Sequence, residues 1–328
     1  MSKQVRAASL VTMAALLLTG CTTGATPQPT PSYTPKVYVN APLTGMPFEE
    51  GTRPSLDGPS VACKIDNVHT ETLKANINRA DLVYVELVEG GLTRLVAVWH
   101  SDLPTAVGPV RSIRPMDPDI ISPYGGIVCY SGGQQIFVNL MRATSVFNAS
   151  ETTEQGKGTF SRTKDREAPH NVIVNVSKLA ANHPELAAPQ TMWDFAADLS
   201  SASAMTAATA TPVKSVQINY PSAAAIWTWS PSTKSSTGED GAWVRTQDGK
   251  PHVDKLTGEQ VRATNIVVLD VKIDRSYADH KYGHIPKTIM VSSGKAWVFT
   301  GGRSIEAKWQ KTSQTGRILL TDAAGAAV

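Results

Sequence analysis

Along the first half of this chain, apolar residues gather in short, β-rich runs separated by polar or turn-forming residues. Pro59–Ile65, Leu82–Val88, Leu95–Trp99, Gly126–Tyr130 and Val172–Val176 each have strand length and composition. Between them lie helix-capable stretches: Thr70–Ala80, Asp117–Ile121, the segment that Ser131-Gly132-Gly133 opens and Met141 closes, and Ser177–Ala181. Gly90-Gly91 predicts a hairpin or tight connection between two of the runs. Strands alternating with helices predict a mixed α/β domain over residues 40–205. Residues 200–211 hold no large side chain except Met205 and read as a linker or long loop. After 212 the texture changes. Val216–Tyr220 and Ala225–Trp229 alternate as half-buried strands do, and Asn265–Val271, Thr288–Val291 and Ala296–Phe299 continue the series. Asp248-Gly249, Ser293-Gly294 and Gly301-Gly302 supply turns, so residues 206–328 are expected to form a mainly antiparallel β domain. The fold class expected of the whole is α+β, with a β-rich C-terminal domain.

The N-terminus breaks this pattern. Lys3 and Arg6 precede a compact apolar stretch, Ala7–Leu18, and Leu18-Thr19-Gly20 leads into Cys21. The stretch is too short to span a bilayer stably and has the layout of a secretory signal, residues 1–20. An aliphatic residue and two small ones before a cysteine resemble the bacterial lipobox, in which the cysteine is acylated and becomes the mature N-terminus. Residues 21–39, rich in Pro and Thr, then read as a polar, semi-extended tether. Cys21 is therefore the expected lipidation site, carrying palmitate-type chains, and the extracytoplasmic face of the cell membrane the expected location.

Charge changes the picture only by exclusion. The 31 basic and 28 acidic residues of the whole chain become 29 and 28 once Lys3 and Arg6 are set aside. A surface so balanced gives no support to a nucleic-acid partner. There is no C-x-x-C and no H-E-x-x-H, so neither metal nor cofactor is expected. Cys63 and Cys129, each in a strand-like run, either pair in an oxidising compartment or stand apart as small buried residues.

Candidate chemistry is densest between Asp66 and Arg114. Asp66 and Asn67 end one strand; Glu86 and Glu89 sit in an apolar run; Arg94, Arg111, Ser112 and Arg114 follow. Carboxylates within β-rich apolar sequence are costly unless paired, and arginine's planar fork suits either a buried carboxylate or a polar ligand. Three readings stand: a buried ion-pair network, a cleft for an anionic or sugar-like ligand, and an acid/base carboxylate pair. Glu86 and Glu89, three apart on a regular strand, would face opposite ways, which favours pairing Asp66 with one of them. His170, after Pro169 at a strand entrance, is a candidate base with Asp165 as its orienting partner. Trp227, Trp229, Trp243 and Trp297 form either a sugar-stacking face or core. His252 and Asp254 are expected to cap or cross-link their loop.

Taken in order, Pro42-Leu43-Thr44-Gly45, Lys64-Ile65-Asp66-Asn67, Ala80–Tyr84, Glu86–Gly91, Thr93-Arg94, Gly108–Pro115 and Ala168–Asn171 resemble the YerB-like lipoproteins, with paired N- and C-terminal domains of unknown function. Residues 42 to about 180 match the first domain, and Trp243–Asp322 the second. The resemblance implies a Gram-positive-type envelope lipoprotein and brings no established activity. Relative to that family the C-terminus looks shortened after Asp322, which predicts either truncation or a different closure of the last sheet. The expected role is a lipid-anchored binding protein with a cell-wall glycan or peptide as ligand. Its site would be built from Asp66, Asn67, Glu86, Glu89, Arg94, Arg111, Ser112, Arg114 and His170. The alternatives are a wall hydrolase or transferase using an Asp/Glu acid-base with His170, and a scaffold for an envelope protein.

Overall fold

The computed structural model describes residues 35–68, 73–235, 240–279 and 283–328. The signal sequence, Cys21 and most of the tether lie outside the described residues. From Val37 to Val328 the chain forms one unit, rich in strands, with short helices.

Its first sheet has five strands. The central one is β1 (Val61–Asn67), buried along its whole length. After the two-residue strand β2 (Leu73–Lys74) come β3 (Leu82–Leu87) and β4 (Thr93–Trp99), which form a hairpin through Gly90-Gly91. Gly91 needs its missing side chain. Its φ is +74°, and a Cβ there would lie 2.7 Å from Ser222 Oγ and 2.8 Å from Pro221 Cβ. Strand β4 pairs antiparallel with β1. On the other side of β1 lie β5 (Ile127–Cys129) and β6 (Phe147–Ala149), both parallel. Helix α1 (Asp117–Ile121) precedes β5, and α2 (Gln135–Arg142) connects β5 to β6.

Alternation along β1 sorts its side chains onto two faces. Ala62, with Val96, Val98 and Val128, joins the core that receives Ile120 and Ile121 of α1 and Phe137, Val138 and Met141 of α2. Cys63 and Ile65, with Leu95 and Ala97, join a second core. That core is closed by β8 (Val172–Val174), which pairs with β7 (Phe160–Arg162), and by α3 (Val176–Ala181). Cys63 faces Cys129 in the parallel register, with Cα atoms 4.5 Å apart, and the two are joined by a disulfide.

The second half contributes two further five-stranded sheets. One is built on β9 (Ser215–Tyr220), β10 (Ala223–Lys234) and β11 (Asp240–Gln247). Strand β12 (Val253–Asp254) lies outside this sheet and pairs parallel with β2. The other sheet comprises β13 (Asn265–Leu269), β16 (Ser292–Thr300), β17 (Arg303–Lys311) and β18 (Leu319–Thr321), with Thr211–Pro212 at its edge. Between β13 and β16 a hairpin, β14 (Ile273–Asp279) and β15 (Gly283–Thr288), reaches out. The last residues fold back on β18: Val328 N–H donates to Leu320 O at 3.1 Å.

Two expectations change. Of Thr70–Ala80, the described part is not an α-helix. Leu73-Lys74 is drawn into a strand by β12, and Ile77–Arg79 makes a single 3₁₀ turn. Nor is 200–211 an open linker. Leu199–Ser201 and Ser203–Thr206 form helical turns, and Arg303 pins them by donating to Ala204 O (3.1 Å) and Ala210 O (2.8 Å). The tryptophans take the core option: Trp243 is fully buried, and Trp227, Trp229 and Trp297 pack with it and Phe299.

The disulfide closes a loop across a sequence separation of 66. Converting both cysteines to alanine is expected to lower unfolding free energy by about 2–4 kcal/mol, mainly through the unfolded chain's regained freedom. Urea titration of the wild type and the double variant measures it.

Candidate functional site

The register of the first sheet sets the site. In one row across the strands stand Glu86 of β3, Arg94 of β4 and Asp66 of β1. Directly opposed residues share a face, so a cation lies between the two carboxylates. Arg94 Nη1 donates to Asp66 Oδ1 at 3.0 Å. The segment after Gly108 crosses the end of β1: Asp66 N–H donates to Pro109 O (2.9 Å) and Arg111 N–H to Lys64 O (2.9 Å). That crossing brings the Arg111 guanidinium within 3.7 Å of Asp66 Oδ2, an ionic contact longer than a hydrogen bond. Arg111 also donates to Pro169 O at 2.9 Å, which steadies the loop presenting His170. His170 Nδ1 contacts Asp66 Oδ2, and its side chain is 34% exposed whereas that of Asp66 is wholly buried.

Burial works to raise the Asp66 pKa. The charges of Arg94 and Arg111 and the His170 hydrogen bond outweigh it and hold the group below the usual carboxylate range. Asp66 is therefore an ionised acceptor with its oxygens occupied. His170 is oriented by Asp66 and not by Asp165, which pairs instead with Lys255 of the second half. The structure also separates Asp66 from both glutamates.

Glu86 and Glu89 do not diverge as strand alternation predicts, because β3 stops at Leu87 and Glu89 sits in the turn. Glu86 meets Lys64, and Lys64 Nζ also lies 2.7 Å from Asp117 Oδ1. Glu89 accepts from Arg114 Nε at 2.8 Å, and the Arg114 backbone N–H donates to Asp117 Oδ2. Both glutamates thus reach groups gathered round Asp117. Ser112 contributes its carbonyl to Arg114 Nη1 at 3.4 Å. Asn67 lies on the other face, where its side-chain amide donates to Thr93 Oγ1 at 2.7 Å; its backbone carbonyl accepts from Gln247 Nε2 at 3.3 Å.

The nine residues marked in the sequence therefore divide by access. Asp66, Asn67, Glu86 and Arg94 are buried; Glu89, Arg111, Ser112, Arg114 and His170 line the accessible margin. Beside Glu89 a cleft of about 130 Å³ opens, lined on one side by Leu87–Gly91 and on the other by Pro221, Arg275, His284 and Pro286. His284 Nδ1 donates to Arg275 O at 2.8 Å.

Other charged residues were not marked in the sequence. Lys74 is fully buried on β2, its Nζ has no hydrogen-bond partner among the described residues, and burial lowers its pKa to about 7. Arg245 of β11 is nearby, donating to Gln247 Oε1 at 2.7 Å and contacting His252 Nδ1. Burial and the Arg245 charge hold His252 well below its ordinary range, so it receives that bond as a neutral imidazole. Asp254 accepts from the backbone N–H groups of Asn76 and Asn78, each at 3.2 Å, and so cross-links two distant loops. The signal available for Lys74 was its place beside Leu73 in a polar stretch, too common to single out.

Two family models match the chain. The N-terminal domain described as "Protein of unknown function (DUF3048)" matches residues 43–189, and the DUF3048 C-terminal domain matches residues 216–328. The chain belongs to the DUF3048 family. A Bacillus subtilis (strain 168) protein named "Putative lipoprotein YerB" is 23% identical over 291 residues, covering 86% of this chain and 80% of that protein. The crystal structure of Bacillus subtilis YerB superposes with a TM-score of 0.70 at 20% identity, over 88% of this chain and 92% of that one. The fold is thus YerB-like.

Replacing Asp66 with Asn leaves Arg94 and Arg111 facing a neutral amide. A cost of about 3–5 kcal/mol at neutral pH is expected, since one partner of a buried charge pair is lost. Because the folded pKa is depressed, the wild-type advantage is full above the unfolded carboxylate value near 4 and disappears as pH falls through the folded value. Denaturant midpoints of both proteins from pH 7 to 2 are expected to converge at the acid end.

Proposed function

We propose that this chain is a lipid-anchored binding protein on the extracytoplasmic face of the cell membrane, and that its ligand is a cell-wall glycan or peptide. The cleft beside Glu89 carries the reading. Its volume is below that of sites that enclose a whole drug-sized molecule, which suits one sugar ring or one side chain of a polymer lying across the surface. Its floor is apolar, through Leu87, Val88, Pro221 and Pro286, and its rims are unlike in charge, Glu89 against Arg275, with the His284 ring beside them. Domain limits of 40–205 and 206–328 belong to the same proposal.

The lipobox-like sequence ending at Cys21 supports the anchor, and the designation of YerB as a lipoprotein is in keeping with it. No helix among the described residues is long and apolar enough to cross a membrane, so the acyl chains would supply the attachment; two or more are needed for a stable hold.

Binding is favoured over acid/base catalysis by the state of the carboxylates. Asp66 is held ionised by two arginines and His170, leaving no proton for general-acid work, and Glu89 is engaged by Arg114. An envelope-protein scaffold remains the alternative outcome of the binding test.

Two outcomes follow. Full-length protein in detergent is expected to sediment with purified wall fragments, and Arg275→Ala/His284→Ala is expected to weaken retention about tenfold, the equivalent of about 1.4 kcal/mol. Undiminished retention removes the cleft from the proposal, and cross-linking in cells that recovers only a protein favours the scaffold. Labelled palmitate is expected to enter the wild type and not Cys21→Ser; equal labelling of both overturns the anchor.

A further inference from the structure

Lys64, Glu86 and Asp117 take no part in the cleft. All three are buried, with side-chain exposures of 0%, 2% and 0%. Lys64 and Glu86 sit on the sheet face whose neighbours Ala62, Val96, Val98 and Val128 are core, and Asp117 opens helix α1, whose Ile120 and Ile121 enter the same core. Lys64 is opposite Val96 in the register, and Glu86 projects from the next strand but one, so the pair spans β4. A buried lysine–carboxylate pair loses much of its Coulombic gain to desolvation. Apart from Lys64 Nζ, which lies against Oε1, no hydrogen-bond donor among the described residues reaches either Glu86 oxygen. Asp117 differs: its Oδ1 is 2.7 Å from Lys64 Nζ and its Oδ2 is fixed by the Arg114 N–H.

This arrangement matches what a condensation requires: an amine and an acid in contact, water excluded, and a second carboxyl placed to carry protons. We propose that Lys64 and Glu86 join in an intramolecular amide, with Asp117 as the proton carrier. The Lys64 Nζ lone pair attacks Glu86 Cδ, forming the N–C bond. Asp117 accepts a proton from the nitrogen and delivers one to the departing hydroxyl. The C–O bond breaks and water leaves. Overall one ammonium and one carboxylate become one amide and one water, with no change in oxidation state, and Asp117 ends as it began.

The starting protonation states are within reach. Burial lowers the Lys64 pKa to about 8, against the opposing pull of Asp117, and burial raises the Asp117 pKa. The product removes two buried charges and one of the undonated Glu86 oxygens. It also fastens β3, whose Val83 is 42% exposed at the sheet edge, to the central strand.

The test is peptide mapping by mass spectrometry of the folded full-length protein, reduced and alkylated so that the cystine is opened, then cleaved with trypsin. The expected result is a Lys64 peptide joined to the Glu86 peptide, lighter than their sum by one water and uncut after Lys64. Asp117→Ala is expected to lower the joined fraction at least tenfold. Recovery of the two peptides separately from the wild type overturns the proposal, as does a link from Lys64 to Asp117. An undiminished link in Asp117→Ala overturns the proton-carrier role. The wild-type digest decides the bond itself even if the variant fails to fold.

Discussion

A wholly buried carboxylate at the end of the central strand is the constraint round which the first half of this fold is arranged. Asp66 persists there because Arg94, Arg111 and His170 arrive from three separate parts of the chain. Each arrival has a backbone cause: the β1–β4 register brings Arg94, the crossing at Pro109–Arg111 brings Arg111, and the loop after Ala168 brings His170. A slip of one residue in β1 would turn Asp66 toward Ile65's apolar side and Cys63 away from Cys129. Charge compensation and core packing therefore specify the same register.

The second half is held by the same economy of buried polar groups. Strand β12 pairs with β2 of the first half, and Asp254 satisfies two backbone N–H groups across that junction. Trp309, Met290 and Leu320 enter the core that also takes α1 and α2. Polar and apolar contacts thus join the two family-matched regions, and the cleft beside Glu89 lies where residues from both meet.

Much of this was legible from residue order. The strands at 61–67, 82–87, 93–99 and 265–269 follow from β-rich runs between turns, and the acid and arginine cluster was visible as charge in apolar sequence. The hidden parts depend on contacts distant in sequence. Leu73-Lys74 has no local reason to be a strand; its partner lies near residue 253. The partner of His170 is Asp66, a hundred residues upstream, where proximity pointed to Asp165. Glu86 and Glu89 converge because β3 ends between them, and strand ends are poorly marked by composition. The two carboxylates that meet Lys64 come from another strand and from a helix, so only the folded sheet brings them to it.

The exchange between β2 and β12 also bears on how such a gene can change. Recombination that carried off either region alone would strip Asn76 and Asn78 of the carboxylate that receives their amides and bare the shared apolar layer to water. The two regions are expected to be inherited as a unit, with novelty entering by point substitution at the cleft rather than by shuffling of modules.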